Sequence, residues 1–381
     1  MTERSEATGG TPDRADHPPR HIAIVLPTLE AGGAERVHVD LASGFLARGH
    51  RVSMVLRRAR GPLLDALDPA VEVHDLDVAR VRGLPVPLAR KLRGLAPDAV
   101  LAAMWPLTGI TALASRVARV PARIVLGEHT DFRRARYISG SERRLLALAG
   151  RRVYGLADGV AAVSEGVADG LAAVARVPRE RIAVVPNPIR PPGTADPDAA
   201  DAELLAWWHG GEHALVAVGS LKPAKAYRDL LEAMARLRER VDARLLVIGE
   251  GPLRGELEAA RGALGLDEAV RFAGFRADPA PLVRRADLFV LSSRWEGFGN
   301  VIVEALGCGV PVVATDCESG PREILDGGRH GTLAPVADPA GLAAAIEVAL
   351  AAPVDREALL RRAADFAPEI AVASYLDLLV G

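Results

Sequence analysis

Two doubly wound α/β domains in tandem are predicted for this sequence by three observations. Short apolar runs rich in β-branched residues alternate with amphipathic stretches along most of the chain. The alternation is interrupted near the middle by a segment rich in Pro and Asp. The length, 381 residues, exceeds what one ordinary core holds and suits two.

The first series opens at His21-Ile-Ala-Ile-Val-Leu26, followed by Gly32-Gly33 and an amphipathic stretch from Glu35 to Leu46. Strands are then expected at Arg51–Leu56, Ala99–Met104, Arg123–Gly127, Gly159–Val163 and Ile182–Val185. Apolar runs joined by helical stretches imply βαβ units and a parallel sheet. Residues 190–212 break the rhythm, because Pro191-Pro-Gly-Thr-Ala-Asp-Pro197 is turn chemistry. A second series follows at Ala214–Val218, Ala243–Ile248, Val270–Phe272, Leu288–Leu291 and Pro311–Ala314. A helical pattern, Ile370–Val380, closes the chain. The expected division is a disordered tail over 1–20, a Rossmann-like domain over 21–190, a linker over 191–212, a second Rossmann-like domain over 213–366, and a last helix over 367–381 packing back on the first domain. Trp207-Trp208, in the linker, is expected to pack between the domains.

Composition bounds the function. Apolar residues make up 49% and charged residues 25% of the chain, the balance of a soluble globular protein. The polar first twenty residues lack the apolar core of a secretory signal, and no run of about 18 apolar residues offers a membrane span. Cys308 and Cys317 belong to no CxxC pair or Cys/His cluster, so a reducing cytoplasm is expected and no metal site is. Hydrolytic and P-loop signatures are absent: the chain has no GxSxG, HExxH or GxxxxGK[ST]. Charge is uneven. Residues 21–190 hold 25 Lys and Arg against 16 Asp and Glu, whereas residues 191–381 hold 19 against 29. Halves of opposite sign suggest different partners.

Four segments carry chemistry. Glu296-Gly-Phe-Gly-Asn-Val-Ile-Val-Glu304 follows a strand and precedes a helix. Gly297 and Gly299 let backbone approach a ligand, and a helix starting near Asn300 points free N–H groups at an anion. Glu304, one turn into that helix, is placed to accept both hydroxyls of a ribose, and Glu296 those of a sugar. Val218-Gly-Ser-Leu-Lys-Pro-Ala-Lys225 also follows a strand, and its lysines suit a diphosphate. Gly32-Gly33-Ala34-Glu35 is a tight loop whose N–H groups can touch a phosphate, although it is not the GxGxxG of dinucleotide sites. In Gly127-Glu128-His129-Thr130, His129 either positions or deprotonates an acceptor hydroxyl or is an ordinary hydrogen-bonded histidine.

These motifs resemble glycosyltransferase family 4, the retaining GT-B enzymes, from His21 to about Leu379. The resemblance is densest over Ser292–Ala305 and Cys308–Asp316, where Glu296 and Glu304 look like the family's E-x7-E signature. Gly249-Glu-Gly-Pro-Leu-Arg254, Asn187-Pro188 and Ser164-Glu-Gly-Val167 look like further family loops. The resemblance implies GT-B architecture: two Rossmann-like domains facing each other across a cleft, with the acceptor on the first and the donor on the second. It implies catalytic roles for His129, Glu296 and Lys225. Donor contacts would come from Gly33, Gly219, Ser220, Lys225, Gly249, Glu296, Gly297, Phe298, Gly299, Asn300 and Glu304, with no metal and no cofactor beyond the nucleotide-sugar itself. Two positions depart from the family: Ser220 stands where Arg is frequent, and Ala226 follows Lys225 where Gly is frequent.

The segment Asp316–Leu325 resembles the subset that uses UDP-hexoses or UDP-N-acetylhexosamines. The expected activity is transfer of such a sugar to a hydroxyl of a glycan, glycolipid or small molecule. A nucleotide-sugar 2-epimerase and a non-catalytic sugar-nucleotide or lipid-binding module are the alternatives. The basic half adds one more expectation. Phe132–Tyr137, Arg143–Leu146 and Arg151-Arg152 interleave arginine with apolar groups, as on an anionic membrane surface, so the protein is expected in the cytoplasm or peripherally on the inner face of the plasma membrane. Nucleic acid is not an expected partner, since the acidic half repels a long polyanion.

Overall fold

The computed structural model describes residues 18–30, 32–134, 139–194, 196–197 and 201–381. Most of the expected tail, residues 135–137 of the Phe132–Tyr137 segment, and residues 195 and 198–200 of the expected linker lie outside the described residues.

Among the described residues the strands form two parallel sheets. The first contains β1 (His21–Leu26), β2 (Arg51–Leu56), β3 (Glu72–Asp75), β4 (Ala99–Ala103), β5 (Arg123–Glu128), β6 (Gly159–Ala162) and β7 (Ile182–Val184), in the order β3-β2-β1-β4-β5-β6-β7. The second contains β8 (His213–Val218), β9 (Ala243–Ile248), β10 (Val270–Gly274), β11 (Leu288–Leu291), β12 (Val312–Thr315) and β13 (Thr332–Ala334), in the order β10-β9-β8-β11-β12-β13. In each sheet the order reverses beside the first strand, at β1/β4 and at β8/β11. Ligands bind doubly wound sheets at the carboxyl side of such switch points. Both faces are covered by helices, which is why β1, β4 and β11 are buried at every position and read as unbroken apolar runs.

Around the first sheet lie α1 (Gly33–Ala47), α2 (Pro85–Leu95), α3 (Leu107–Val117), α4 (Gly140–Tyr154) and α5 (Glu165–Ala175). Around the second lie α6 (Ala202–Trp208), α7 (Tyr227–Leu237), α8 (Arg254–Ala263), α9 (Ala280–Val283), α10 (Asn300–Gly307), α11 (Pro321–Ile324), α12 (Pro339–Ala351) and α13 (Arg356–Ala364). The last helix, α14 (Pro368–Val380), returns to the first sheet and packs on α1, β4 and β5, burying Val372, Tyr375, Leu376 and Leu379.

Several expectations need correction. The segment expected to be a linker contains α6, and its tryptophans do not pack between domains. Trp208 is fully buried within the second domain, its indole N–H donating to the Leu215 carbonyl at 2.9 Å. Trp207 donates to Glu268 O at 3.1 Å and lies under the Arg271 guanidinium. Strands β3 and β13 were not expected: β3 is a polar, mostly exposed edge, and β13 is three residues long. The basic cluster divides. Arg133 turns to Asp131 at 2.8 Å, and Arg134 reaches Glu318 of the second domain at 2.5 Å. Arg143 donates to the Phe132 carbonyl at 2.6 Å. Arg144, Arg151 and Arg152 of that cluster are exposed on α4.

Candidate functional site in the interdomain crevice

The centre of the site is the turn between β11 and α10. Gly299, in the left-handed region at φ 103°, starts α10 with no side chain capping its amides. The first amide groups of α10 are therefore left for a ligand, and the helix dipole favours an anion there. Helices α1 and α7 meet the same crevice through Gly32 and Ala226, again with no side-chain cap. Serine or aspartate seals the first turn at Ser139 of α4, Ser164 of α5, Asp338 of α12 and Asp355 of α13, while α2, α3, α8 and α14 also start without a side-chain cap.

Glu304 is the fifth residue of α10, one turn below those amides. It lines a cavity of about 270 Å³ together with Arg36, Asp40, Val218, Asp278 and Asn300. Burial raises its carboxyl above the ordinary range, and the positive charges of Arg36 and Lys225 act against that rise. A half-buried acceptor facing cations from both domains suits a ribose diol beside a diphosphate.

Lys225 and Glu296 are found bonded to each other. Lys225 Nζ donates to Glu296 Oε1 at 2.6 Å, and Ser293 Oγ donates to the same oxygen at 2.6 Å. Both side chains are largely covered, at 18% and 12% exposure, yet each reaches the crevice edge. Lys225 thus spends its charge on the Glu296 carboxylate. Glu296 lines a second cavity, of about 260 Å³, with Asp131 and Arg134 from the first domain and Arg294, Trp295 and Glu318 from the second. The two cavities flank the glycine turn that carries Gly297 and Gly299.

The remaining expected residues divide by what they touch. Gly33 faces Asn300 across the crevice, close enough for a Cβ to reach van der Waals contact with the amide. Asn300 accepts from Asn187 Nδ2 at 2.8 Å, tying the start of α10 to the end of the first domain. Gly219 and Gly249 belong to adjacent loops whose backbones pack together, and a Cβ on Gly249 would overlap the Gly219 carbonyl. Ser220 sits partly buried beyond Gly219, and Lys222 is exposed nearby. The ring of Phe298 is buried against Phe366, with centroids 5.6 Å apart, and supports the loop from beneath, which leaves its backbone as the part that can face a ligand. The thiols of Cys308 and Cys317 are pushed up by burial to about 11 and about 12, so neither offers a nucleophile.

On the opposite lip, β5 ends in Glu128, and His129 follows it. His129 has both ring nitrogens buried without a partner, and burial holds it well below its ordinary pKa. His38 of α1 lies beside it, ring centroids 5.1 Å apart. Burial lowers His38 to about 4 despite its bond to the Ala34 carbonyl. Glu128 accepts from Thr108 Oγ1 at 2.6 Å and Tyr154 OH at 2.5 Å, and burial raises it to about 7. The neutral imidazole keeps a lone pair free for a hydroxyl proton.

Direct contacts hold the lips together. Ser164 Oγ donates to the Gly297 carbonyl at 2.7 Å, and a Cβ on Gly297 would overlap the His129 carbonyl oxygen. Glu323, on α11, accepts from the Glu165 and Gly166 amides at 2.8 and 3.1 Å and so covers the start of α5. Arg36, Asp40, Asp131, Arg134, Asp278 and Glu323 were missed by sequence reasoning. Arg36 alone had a local signal: it falls three residues after Gly33, inside the first turn of the helix that the glycine loop opens. Among the described residues, no three His, Cys, Asp or Glu side chains come together as metal ligands.

Comparison with known proteins agrees with this architecture. Residues 31–191 match Glycosyltransferase Family 4, and residues 212–352 match Glycosyl transferases group 1. A Campylobacter jejuni protein named N-acetylgalactosamine-N,N'-diacetylbacillosaminyl-diphospho-undecaprenol 4-alpha-N-acetylgalactosaminyltransferase is 26% identical over 329 residues, covering 83% of this chain and 86% of that one. The lipopolysaccharide core biosynthesis glycosyltransferase LpsE of Rhizobium meliloti is 35% identical over 170 residues, covering 43% of this chain and about half, 49%, of that one. A Rickettsia africae glycosyltransferase superposes with TM-score 0.77 at 18% identity, covering 95% of this chain and 98% of that one. HepE of Anabaena, solved with UDP and glucose, gives 0.72 at 24% identity, covering 94% and 95%. Two facing Rossmann-like domains of this kind are the GT-B fold, and the chain belongs to glycosyltransferase family 4.

Proposed function

We propose that this enzyme moves a hexose or N-acetylhexosamine from a UDP-sugar to a hydroxyl of a glycan, glycolipid or small molecule, with retention at the anomeric carbon and without a metal ion. The observation that carries this reading is the uncapped start of α10 with Glu304 one turn below it and the Lys225–Glu296 pair beside it. That is a site for a diphosphate flanked on one side by a ribose acceptor and on the other by a sugar acceptor. UDP is the first nucleotide to try because HepE, a fold relative, is known with it. A lipid-linked glycan is a sensible acceptor class because the Campylobacter relative is named for one.

Chemically, the bond from the anomeric carbon to the diphosphate oxygen breaks, and the bond to the acceptor oxygen forms on the same face. The acceptor proton passes to the departing diphosphate. Charge building on that oxygen is met by Lys225, as it exchanges Glu296 for phosphate, and by the α10 amides, all held in place before reaction. Glu296, freed from the lysine, accepts from the sugar's hydroxyls. Buried neutral His129 orients the acceptor hydroxyl from the other lip and supplies a dry wall that limits hydrolysis.

The test is a panel of UDP- and GDP-sugars with and without polyprenyl-diphosphate glycans and free sugars, in chelator, followed by NMR of the product. The proposal predicts acceptor-dependent release of UDP and an α product from an α donor. An inverted product, a chelator-sensitive reaction or a 2-epimerised donor formed without acceptor would each defeat a stated part of it.

A further inference from the structure

Asn187 lies three residues beyond β7, where the chain leaves the first domain, and only 5% of it is exposed. Its Nδ2 donates to Asn300 Oδ1 at 2.8 Å, a bond between residues 113 apart in sequence. Its own Oδ1 is buried and has no hydrogen-bond partner among the described residues. An amide buried with its oxygen unmatched is a poor choice for packing, because leucine fills a similar space without that desolvation penalty. What the side chain supplies is its one bond to Asn300.

Asn300 is the first residue of α10. Its carboxamide has an acceptor end and a donor end, and holding one end decides which way the other faces. With Oδ1 held by Asn187, the NH2 group is turned away, 3.5 Å from the place that a Gly33 Cβ would take. Gly33 is exposed and is the first residue of α1, whose start also lacks a side-chain cap. The Asn300 NH2 therefore stands between two uncapped helix starts, one from each domain. Both helix dipoles are positive there and both starts leave backbone N–H groups free, so the side-chain donor between them adds to a field that already favours an anion.

We propose that Asn187 is a positioning residue for the donor's diphosphate: it turns the Asn300 carboxamide so that the NH2 end meets a phosphate oxygen. Without that bond the amide is free to turn its own oxygen to the phosphate, where two acceptors repel. Asn187 belongs to the first domain and Asn300 to the second, so the orienting bond exists only while the two are in contact. The first domain thereby acts on the diphosphate through a side chain of the second. The inference rests on the reading of this crevice as a diphosphate site, and not on which nucleotide it holds.

The experiment is titration of UDP, uridine and inorganic pyrophosphate into the full chain and into Asn187→Leu, Asn300→Ala and the double variant. Affinity for UDP and for pyrophosphate is expected to fall on the order of 10-fold in each single variant, the lower end for one hydrogen bond to a charged group. The double variant is expected to be no weaker than Asn300→Ala, since Asn187 acts through that amide. Uridine binds all four proteins equally. Asn187→Ala removes the same donor without adding volume, and gives the same pattern should leucine not pack. Equal losses of uridine and UDP in the Asn187 variants overturn the inference, as does a double variant weaker by the product of the two single losses. A parent that binds neither UDP nor pyrophosphate overturns it too. Weakened pyrophosphate binding in the variants of a parent that binds no UDP supports it while defeating the proposed donor, so the two failures are distinguishable.

Discussion

The two lips of the crevice are built on the same kind of fold and carry different sets of groups. On the second domain, glycine loops and the uncapped α10 expose amides, and the charged groups Lys225, Glu296 and Glu304 stand within reach of one another. On the first domain, burial drives the titratable groups toward their neutral forms: His129 and His38 fall, Glu128 and Glu35 rise. A leaving diphosphate needs charge fixed in advance, whereas an acceptor hydroxyl needs a neutral, dry wall with a lone pair pointing at it. Two doubly wound sheets that share the order of their first strands thus bring different groups to the crevice, although burial raises Glu304 on the second lip as it raises Glu128 on the first.

Several substitutions break or sharpen that contrast. The largest effect belongs to Lys225→Ala, which removes the cation proposed to meet the leaving diphosphate. Turnover measured at saturating donor is expected to fall by roughly 100-fold or more. Near-normal turnover would move the clamp to Lys222. Next is Gly297→Ala, which pushes a methyl into the His129 carbonyl and pries the lips apart. Misalignment of this kind is expected to cost on the order of 100-fold in kcat and about 1–3 kcal/mol of stability, with UDP affinity retained. Loss of UDP binding together with turnover would place the donor across both lips.

A pH experiment tests the neutral lip. Burial raises Glu128 from 4.5 to about 7, so the folded state holds a proton that the unfolded state releases. The stability tied to that proton is complete below pH 4.5 and is lost as pH rises through about 7. Across that window the parent should lose on the order of 3 kcal/mol relative to Glu128→Gln, read from urea midpoints. Parallel pH profiles would mean that Glu128 is ionised in the folded protein. The smallest effect is expected at the lips' rim. Glu318→Ala removes the half-exposed pairs to Arg133 and Arg134 and should change stability by about 0–1 kcal/mol, shrinking further in salt.

Much of this fold was legible because its strands are covered on both sides. Continuous apolar runs made β1, β2, β9 and β11 recognisable at their true limits, while β3 escaped because an exposed edge strand, Glu-Val-His-Asp, carries no such run. Helix α6 escaped because Pro and Asp residues ahead of it read as linker, and only the burial of Trp208 shows where the segment belongs. Within the site, Glu304 and Gly299 were visible from strand–glycine–helix order, a local pattern. Glu323 was not: its partners, the Glu165 and Gly166 amides, lie more than 150 residues away in sequence. The Lys225–Glu296 bond was hidden for the same reason, since it joins two loops whose adjacency follows from β8 and β11 pairing. The ion pairs of Arg133 and Arg134 were hidden because their partner Glu318 comes from the other domain.

The account turns on the second domain holding the nucleotide through Glu304. Calorimetric titration of UDP into the parent and into Glu304→Ala tests this most directly. Loss of hydrogen bonds to a charged acceptor is worth roughly 1.5–3 kcal/mol, so the variant's Kd should be on the order of 10- to 150-fold weaker. A Kd equal to the parent's would contradict the ribose assignment and move the nucleotide out of the cavity that Glu304 lines.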